Sequence, residues 1–353
     1  MYLPELSCPT HGNRLDPQRS TLAGDSDSVR VEDLHCFCCA EGCRFPVIGG
    51  VPRFTSSDNY AGAFGWQWQR FRTSQLDSRT GTTITRDRLS RCLGGDLAAL
   101  AGCRVLDAGC GAGRFSEVLL DAGAHVFAVD ISTAVEAAHG NFGADRRFFV
   151  CQSDILAIPV APRSFDVVLC LGVIQHTPDP ERTIAALAEH VRPGGLLIID
   201  HYSAGYPLTP SRRMLRAVLL RLPRPLASRL AVAMATFLLI AHKWFWHADA
   251  TSARTRRLLA RWSPLVDYYD SYPQLARSIL AEWAVLDTHD TLMDVFKHLR
   301  TEDEIRACLE ALELEILHAA PGGNGIEARA RRPRANGRKS LPTGRCRVVQ
   351  WTD

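Results

Sequence analysis

The sequence lacks the features that mark exported, fibrous or disordered chains. Its first residues, Met1–Glu5, contain no basic stretch followed by an apolar one, so no export signal is expected. A composition of 46% hydrophobic and 22% charged residues excludes collagen, coiled coil and disorder for most of the 353 residues. We see no internal repeat. We therefore expect a cytoplasmic protein of two domains, or of one large domain with additions, whose twelve cysteines are reduced thiols or metal ligands.

The chain also has little net charge, +3, but its charges are unevenly distributed. Residues 212–261 contain eleven Lys or Arg and one acidic residue, and residues 328–353 contain eight and one. The rest of the chain is therefore acidic overall. Two basic segments on an acidic body predict contact with an anion, either a membrane surface, a charged acceptor or nucleic acid.

From about residue 96 the sequence alternates between helices and short, almost continuously apolar strands. This alternation predicts a parallel sheet covered by helices on both faces. The Gly-rich link Pro321–Gly325 is so short that it demands an antiparallel hairpin. The predicted strands are Arg104–Asp107, Val126–Asp130, Phe165–Cys170, Gly195–Asp200, Leu314–Ala319 and Ile326–Arg331, and the predicted helices are Arg114–Ala122, Pro180–Val191 and one opened by a capping box at Thr301–Glu304.

A glycine-rich turn after the first of these strands predicts a nucleotide site. Glycines let the backbone turn tightly and approach a ligand, and the following helix offers free N–H groups to an anion. Asp130 ends the second strand, where a carboxylate can accept both ribose hydroxyls. The glycines alone would also suit a plain tight turn. The strand, the helix and the acid in register favour a nucleotide.

The order of the glycines indicates which nucleotide. Asp107–Phe115 reads Asp-x-Gly-x-Gly-x-Gly and resembles motif I of the class I S-adenosylmethionine-dependent methyltransferases. The resemblance covers about residues 96–202 and 287–332. Further segments resemble that family in the expected order, namely Val129–Ser132, Ser153–Ile155, Ser164–Val168, Gly172–Pro180 and Arg192–Gly195.

The resemblance implies an α/β fold, a Rossmann-like seven-stranded sheet with an antiparallel terminal hairpin, and S-adenosylmethionine as cofactor. It implies an in-line displacement at the sulfonium methyl, for which the protein mainly supplies alignment and excludes water. It places Asp107 at the amino-acid end of the cofactor, Asp130 at the ribose and Asp154 at the adenine. The cofactor-binding residues that it implies are Asp107, Gly109, Gly111, Gly113, Asp130, Ile131, Asp154, Ile155, Leu171 and Gly172.

Cysteines and a histidine near the start have metal-ligand spacing. Cys8 and His11 form a C-x2-H pair, and Cys39 and Cys43 form a C-x3-C pair, which together suit tetrahedral Zn²⁺. A pair of Cys36 with Cys39 would serve as well. The segment from residue 42 to 54 resembles zinc-ribbon modules that precede some bacterial methyltransferase domains, and this favours Cys8, His11, Cys39 and Cys43. Such a site would be structural, and the alternative is a ribbon of free thiols that has lost its metal.

On the substrate side, His176 follows the predicted strand Phe165–Cys170. Ligands gather beyond the carboxyl ends of the strands in this fold. His176 is the candidate catalytic residue, as general base for a hydroxyl or amine acceptor, although it could equally hold the turn. Asp200, His201 and Tyr202 have the same two interpretations. Asp287–Asp290 resembles a segment that follows a helical insert in related enzymes.

The insert itself contains Leu230–Ala241, an uncharged, largely apolar run of twelve residues. Twelve residues are too few to cross a bilayer, which needs about 20. Flanking basic residues and Trp244–Trp246 suit peripheral membrane contact through 212–261. We favour instead a helical cap with a buried helix and solvated arginines. On either interpretation the insert would line a sizeable pocket, and its arginines could attract an anionic acceptor, such as a phosphorylated sugar or a lipid intermediate.

These observations divide the chain into six parts. A zinc-ribbon-like module and a helical linker or lid come first, followed by a Rossmann-like core that an Arg-rich helical cap insertion interrupts, and by a basic, disordered tail. The predicted boundaries are 1–54 for the module, 55–95 for the linker, 96–202 and 287–332 for the core, 203–286 for the cap and 333–353 for the tail.

We therefore expect methyl transfer to O or N of a small-molecule, glycan-linked or lipid-linked acceptor. One alternative is a ribosomal-RNA methyltransferase, since some of these carry an N-terminal zinc ribbon. It is disfavoured because no Asn-Pro-Pro-Tyr-type motif follows the fourth strand, where Leu171–Ile174 stands, so nucleic acid is not the expected partner. The other alternative is a cofactor-binding scaffold without catalysis.

Overall fold

The chain folds around one large sheet, preceded by a small one. The computed structural model describes residues 4–19, 31–206, 209–245, 254–255, 258, 261–268 and 271–334. Trp246 and almost all of the predicted tail, 333–353, lie outside the described residues.

The small sheet is antiparallel and has the strand order β1-β2-β3-β4. Its buried Phe37 belongs to the same apolar core as Phe127 of the large sheet. The backbone N–H of Phe54 donates a hydrogen bond to the Gln152 carbonyl oxygen at 2.8 Å and so joins the small sheet to the large one. The small sheet is therefore docked on the large one. Its strands are β1 Asp16–Arg19, β2 Leu34–Cys38, β3 Arg44–Ile48 and β4 Val51–Pro52.

Three helices connect the two sheets. The first packs closely on the large domain, because a Cβ on its Gly65 would lie 3.0 Å from the backbone nitrogen of Thr133. A larger residue would push this helix away from the sheet domain. The three are α1 Gly62–Arg70, α2 Asp77–Thr80 and α3 Ile84–Leu93.

The large sheet has seven strands in the order β10-β11-β9-β8-β5-β6-β7. All neighbours are parallel except β11, which runs antiparallel to both β9 and β10. The predicted seven-stranded sheet with an antiparallel terminal hairpin is confirmed. The strands are β5 Arg104–Ala108, β6 His125–Asp130, β7 Phe148–Gln152, β8 Phe165–Cys170, β9 Val191–His201, β10 Glu315–Gly322 and β11 Gly325–Arg331.

Helices cover both faces of this sheet, so that Val105 and Leu106, which point to opposite faces, are both fully buried. Local signals set the helix ends. Asp179 accepts a hydrogen bond from the Arg182 N–H at the start of α6, and the capping box predicted at Thr301 is present at the start of α10. The helices are α4 Arg114–Asp121, α5 Ala134–Phe142, α6 Pro180–His190 and α10 Glu302–Ala311.

The insertion between β9 and β10 is helical, with α7 Pro210–Leu219, α8 Arg224–Phe245 and α9 Arg277–Met293. Helix α9 runs through the predicted boundary at residue 286. The expectation that the apolar helix is too short to cross a bilayer is wrong, because α8 has 22 residues. By length and composition alone Arg224–Trp244 could cross a membrane, with a mean hydropathy of 1.5 and 33% of its most apolar window buried in the protein.

Candidate functional site

A cavity of about 730 Å³ opens at the carboxyl ends of β5, β6 and β8. The neighbours of β5 on either side are β6 and β8, so the strand order reverses here, and α/β sheets bind their ligands at this crevice. Helix α1 covers it from one side, and α9 covers it from another together with Tyr202, Tyr206, Arg212, Val266, Tyr268 and Tyr272.

The predicted ribose residue lies at this crevice. The carboxylate of Asp130 accepts hydrogen bonds from Gly111 N at 3.0 Å, Ser132 N at 2.8 Å and Ser132 Oγ at 2.7 Å. Burial raises the pKa of Asp130, and these three bonds oppose that shift. The bonds fix the carboxylate at the rim of the cavity, with the glycine turn beside it.

Seven further predicted cofactor residues line the same cavity, and they come from four separate loops. Gly172 has φ +77°, and a Cβ there would meet nothing within 4 Å, so the backbone leaves open space for a ligand. The Asp154 carboxylate accepts a hydrogen bond from Leu156 N at 2.9 Å and so fixes a short turn. The seven are Gly109, Gly111, Ile131, Asp154, Ile155, Leu171 and Gly172.

Asp107 and Gly113 do not belong to the lining of this cavity. Asp107 is 2% exposed and accepts a hydrogen bond from Ser116 Oγ at 2.6 Å, and burial raises its pKa to about 6. Gly113 begins α4 at φ +89°, where a Cβ would lie 2.6 Å from the Phe142 ring. Both residues shape the turn from beneath, and their contact with a cofactor stays a prediction.

Sequence reasoning did not single out Trp68 or Arg114, which both line the cavity. Trp68 of α1 lies over the glycine turn, with its Nε1 3.0 Å from where a Gly111 Cβ would be. Half-buried Arg114 lies between Thr85 Oγ1 at 3.0 Å and Gln75 Oε1 at 3.1 Å, and desolvation lowers its pKa to about 10. The signal that could have found Trp68 is the close spacing of the aromatic residues at positions 64, 66, 68 and 71. Nothing local marked Arg114.

His176 lines the cavity with a defined tautomer. Its Nδ1 lies 3.1 Å from Asp294 Oδ2 and 3.2 Å from the Phe296 carbonyl oxygen. Because both neighbours are acceptors, the proton is assigned to Nδ1 and Nε2 keeps its lone pair. Phe64 and Tyr202 pack against the ring, each with centroids 5.3 Å away. The arrangement is that of a general base held by a carboxylate.

Asp294 is the centre of a buried charge cluster. Arg216 Nε lies 2.8 Å from Asp294 Oδ1, and Lys297 Nζ lies 2.7 Å from Oδ2. Burial raises the pKa of Asp294, but the hydrogen bond from His176 and the two cations outweigh it and hold the pKa below its usual value. Asp294 is therefore an anion that can stabilise a protonated His176.

The predicted segment Asp287–Asp290 lies on α9 and divides between two roles. Asp287 and Asp290 line the cavity, whereas Thr288 Oγ1 accepts a bond from Val266 N and His289 Nδ1 lies 2.6 Å from Gln67 Oε1. Burial raises the pKa of Asp287 to about 7, opposed by the hydrogen bond from the Tyr268 hydroxyl. Burial also raises the pKa of Asp290. Both side chains therefore line the cavity from α9.

Asp200 and His201 lie within β9 and Tyr202 directly follows it, and of the three only Tyr202 lines the cavity. Asp200 accepts a bond from Gly172 N at 2.6 Å and pairs with Arg88, and His201 Nδ1 lies 2.9 Å from the Tyr202 carbonyl. Asp200 and His201 thus support the wall behind the cavity.

Comparison with known proteins gives this cavity its context. Residues 106–199, which contain the glycine turn, Asp130, Asp154 and His176, match the family described as methyltransferase domain. The chain contains a class I S-adenosylmethionine-dependent methyltransferase domain.

The most similar curated sequences include two ubiquinone biosynthesis O-methyltransferases. That of Xylella fastidiosa strain 9a5c is 40% identical over 107 residues, 29% of this chain and 42% of the relative, and that of Hahella chejuensis is 43% identical over 107 residues, 29% and 44%. The chain thus spans less than half the length of these relatives.

Among solved structures, magnesium protoporphyrin IX methyltransferase from Synechocystis with bound SAH aligns with a TM-score of 0.42 and 17% identity, over 78% of this chain and 97% of that one. A SAM-dependent methyltransferase from Aquifex aeolicus aligns with a TM-score of 0.41 and 13% identity, over 78% and 98%.

Away from the methyltransferase cavity, the small sheet brings four predicted ligands together. His11 Nδ1 lies 3.7 Å from Cys8 Sγ, 3.6 Å from Cys39 Sγ and 3.5 Å from Cys43 Sγ, and all four donor atoms lie within 4.8 Å of one another. Tetrahedral Zn²⁺ requires sulfur-to-nitrogen separations of about 3.5 Å. The alternative ligand Cys36 instead lies beside Cys38, with 3.6 Å between their sulfurs. The group could hold one zinc ion.

Proposed function

We propose that the chain transfers the methyl group of S-adenosylmethionine to O or N of a small-molecule, glycan-linked or lipid-linked acceptor. The observation that carries this proposal is that Asp130 and His176 line one cavity at the reversal point of the sheet, with Asp294 behind His176 at 3.1 Å. Asp130 can bind the ribose of a nucleoside, and His176 can take a proton from the methyl acceptor.

When bound, S-adenosylmethionine supplies a methyl group that is already activated on a sulfonium. Asp130 would accept the ribose hydroxyls, and Arg114 offers a half-buried cation to the methionine carboxylate. Helix α1 with Trp68 would exclude water. His176 Nε2 would take the proton that the acceptor gives up, and Asp294 would stabilise the resulting imidazolium.

Cofactor binding tests the first half of this proposal. We expect Asp130→Ala to weaken S-adenosylhomocysteine binding about 10- to 100-fold, because hydrogen bonds to a charged group are lost. Isothermal titration calorimetry measures the affinity, and Asp121→Ala is the control, since Asp121 is 59% exposed and pairs only at the surface with Arg86. Unchanged affinity in Asp130→Ala would place the cofactor elsewhere.

Transfer of labelled methyl groups tests the second half. Purified protein with methyl-labelled S-adenosylmethionine and a fractionated lysate of its host should label solvent-extractable metabolites or lipids. Label confined to RNA would contradict the proposed acceptor class. If no fraction accepts label although the cofactor still binds, the result would favour a cofactor-binding scaffold without catalysis.

A further inference from the structure

Helix α8 is apolar on two opposite faces, and only one of them is covered. Ala227, Ala231 and Ala235 are fully buried, and their four-residue spacing forms the stripe that faces α9. On the other side Phe237 is 73% and Trp244 79% exposed. Spacings of four and seven residues align Leu226, Leu230, Phe237 and Trp244 in one exposed stripe.

Exposed apolar side chains are concentrated in this part of the molecule. Among the residues that the structure describes, ten of the thirteen large hydrophobic residues with high exposure lie between Met214 and Trp262. Met214 and Val218 of α7 are 65% and 52% exposed. Soluble monomers rarely expose apolar surface on this scale, so the concentration indicates an interaction surface.

The charged side chains that α7 and α8 themselves carry have one sign. Residues 203–248 contain no Asp or Glu, and Arg213, Arg229 and Lys243 are exposed on α7 and α8. Arg229 adjoins Leu230, and Lys243 adjoins Trp244. Apolar side chains bordered by cations and Trp complement the acyl chains and anionic headgroups of a lipid surface.

We propose that this surface, which we name the cap face, docks on membranes that contain anionic lipids. The cap face consists of Met214, Val218, Leu226, Leu230, Phe237, Ile240 and Trp244 with Arg213, Arg229 and Lys243.

Contacts on the covered side of α8 make it lie on the membrane rather than cross it. His242 Nδ1 lies 2.7 Å from Asp267 Oδ2, and His242 Nε2 lies 2.9 Å from Ser263 Oγ. Together with the buried alanine stripe, these bonds hold α8 against the domain. A spanning helix would have to break all of them.

Docking of the cap face would bring the cavity close to the lipid. The same insertion contributes Tyr206, Arg212 and Tyr268 to the cavity wall. The acceptor class that follows is a molecule with an apolar tail that is retained in the membrane. This last step rests on the proposed function, whereas docking itself does not.

Vesicle sedimentation with the purified full chain tests the proposal. We expect binding to vesicles of phosphatidylcholine with phosphatidylglycerol, and at least about tenfold weaker binding to phosphatidylcholine alone or at high salt. The triple substitution Phe237→Ser, Ile240→Ser and Trp244→Ser should weaken binding at least about tenfold. Ile48→Ser, at a 57% exposed residue of the small sheet, is the matched control and should bind like the wild type.

Three outcomes would overturn docking: equal binding by the triple variant, resistance of bound protein to carbonate extraction, or absence of vesicle binding. Sedimentation equilibrium on the same variants would then show whether the cap face joins two copies of the chain instead. S-adenosylhomocysteine affinity of the triple variant should equal that of the wild type, so that failure of docking and failure of the proposed function give different results.

Discussion

At the scale of single residues, His176 is held by Asp294 from a segment 118 positions later in the chain. We expect His176→Gln to lower kcat about 10²- to 10³-fold, because the acceptor proton loses its base, while the affinity for S-adenosylhomocysteine stays the same. Asp294→Asn should have a smaller effect, since the Phe296 carbonyl still orients the ring. Steady-state kinetics measure both, with His125→Gln on the surface as the control. An unchanged kcat in His176→Gln would leave this residue as a support of the turn.

The buried carboxyl of Asp287 gives a prediction about pH. Its pKa of about 7 in the folded protein lies above the usual value, so the native state binds more protons than the unfolded chain between about pH 4 and 7. Stability should therefore fall as pH rises through this range, by at most about 1.4 kcal/mol per pH unit from this group.

Replacing Asp287 isolates this effect from other buried acids such as Asp107. Denaturant unfolding at pH 5 and pH 8 should show that Asp287→Asn loses less stability between the two pH values than the wild type does. Equal losses in both proteins would mean that Asp287 is ionised throughout.

At the scale of elements, the small sheet depends on its four ligands. We expect Cys39→Ser to lose bound zinc and to lower the Tm, because the metal would join Cys8 and His11, which precede β1, to the residue 39–43 turn. Mass spectrometry of the metal content measures zinc directly. Cys36→Ser should keep one zinc per chain, since Cys36 lies beside Cys38 rather than in the group. Loss of zinc from both variants would contradict this ligand set.

The close packing of α1 against the start of α5 gives a second prediction at this scale. Gly65→Ala should destabilise the fold by about 1–3 kcal/mol, because the added Cβ meets the backbone of Thr133, which cannot move aside easily. Gly140→Ala in α5 is the matched control. Its Cβ would meet only Arg72 Nη1, at 3.5 Å, so it should stabilise by up to about 1 kcal/mol. Equal unfolding midpoints would show that α1 can shift without cost.

At the scale of the whole molecule, patterns within short segments predicted most of the core. The glycine turn after β5, Asp130 at the end of β6 and the Pro321–Gly325 hairpin are local signals, because a strand, a turn or a cap depends on neighbours in sequence. The group of Cys8, His11, Cys39 and Cys43 was also predictable, although spacing alone left Cys36 as an alternative. The tertiary fold brings these four side chains together and leaves Cys36 beside Cys38.

Long-range contacts were not predictable in the same way. No spacing rule connects His176 with Asp294, or places Arg114 beside Thr85 and Gln75. The length of α8 was underestimated, since Arg224, Arg229 and Lys243 interrupt the apolar pattern but not the helix. The uncharged run therefore gave the extent of the apolar segment and not the length of the helix.

Helix α9 carries Asp287 and Asp290 at the cavity and also forms the seat of α8. This double role of α9 determines the splice site for exchanging the helical insertion with that of a relative. A splice at residue 286 would divide α9 and pair a foreign half-helix with native carboxylates. A splice between α8 and α9 would transfer the outer helices and leave every cavity carboxylate of α9 on its own scaffold.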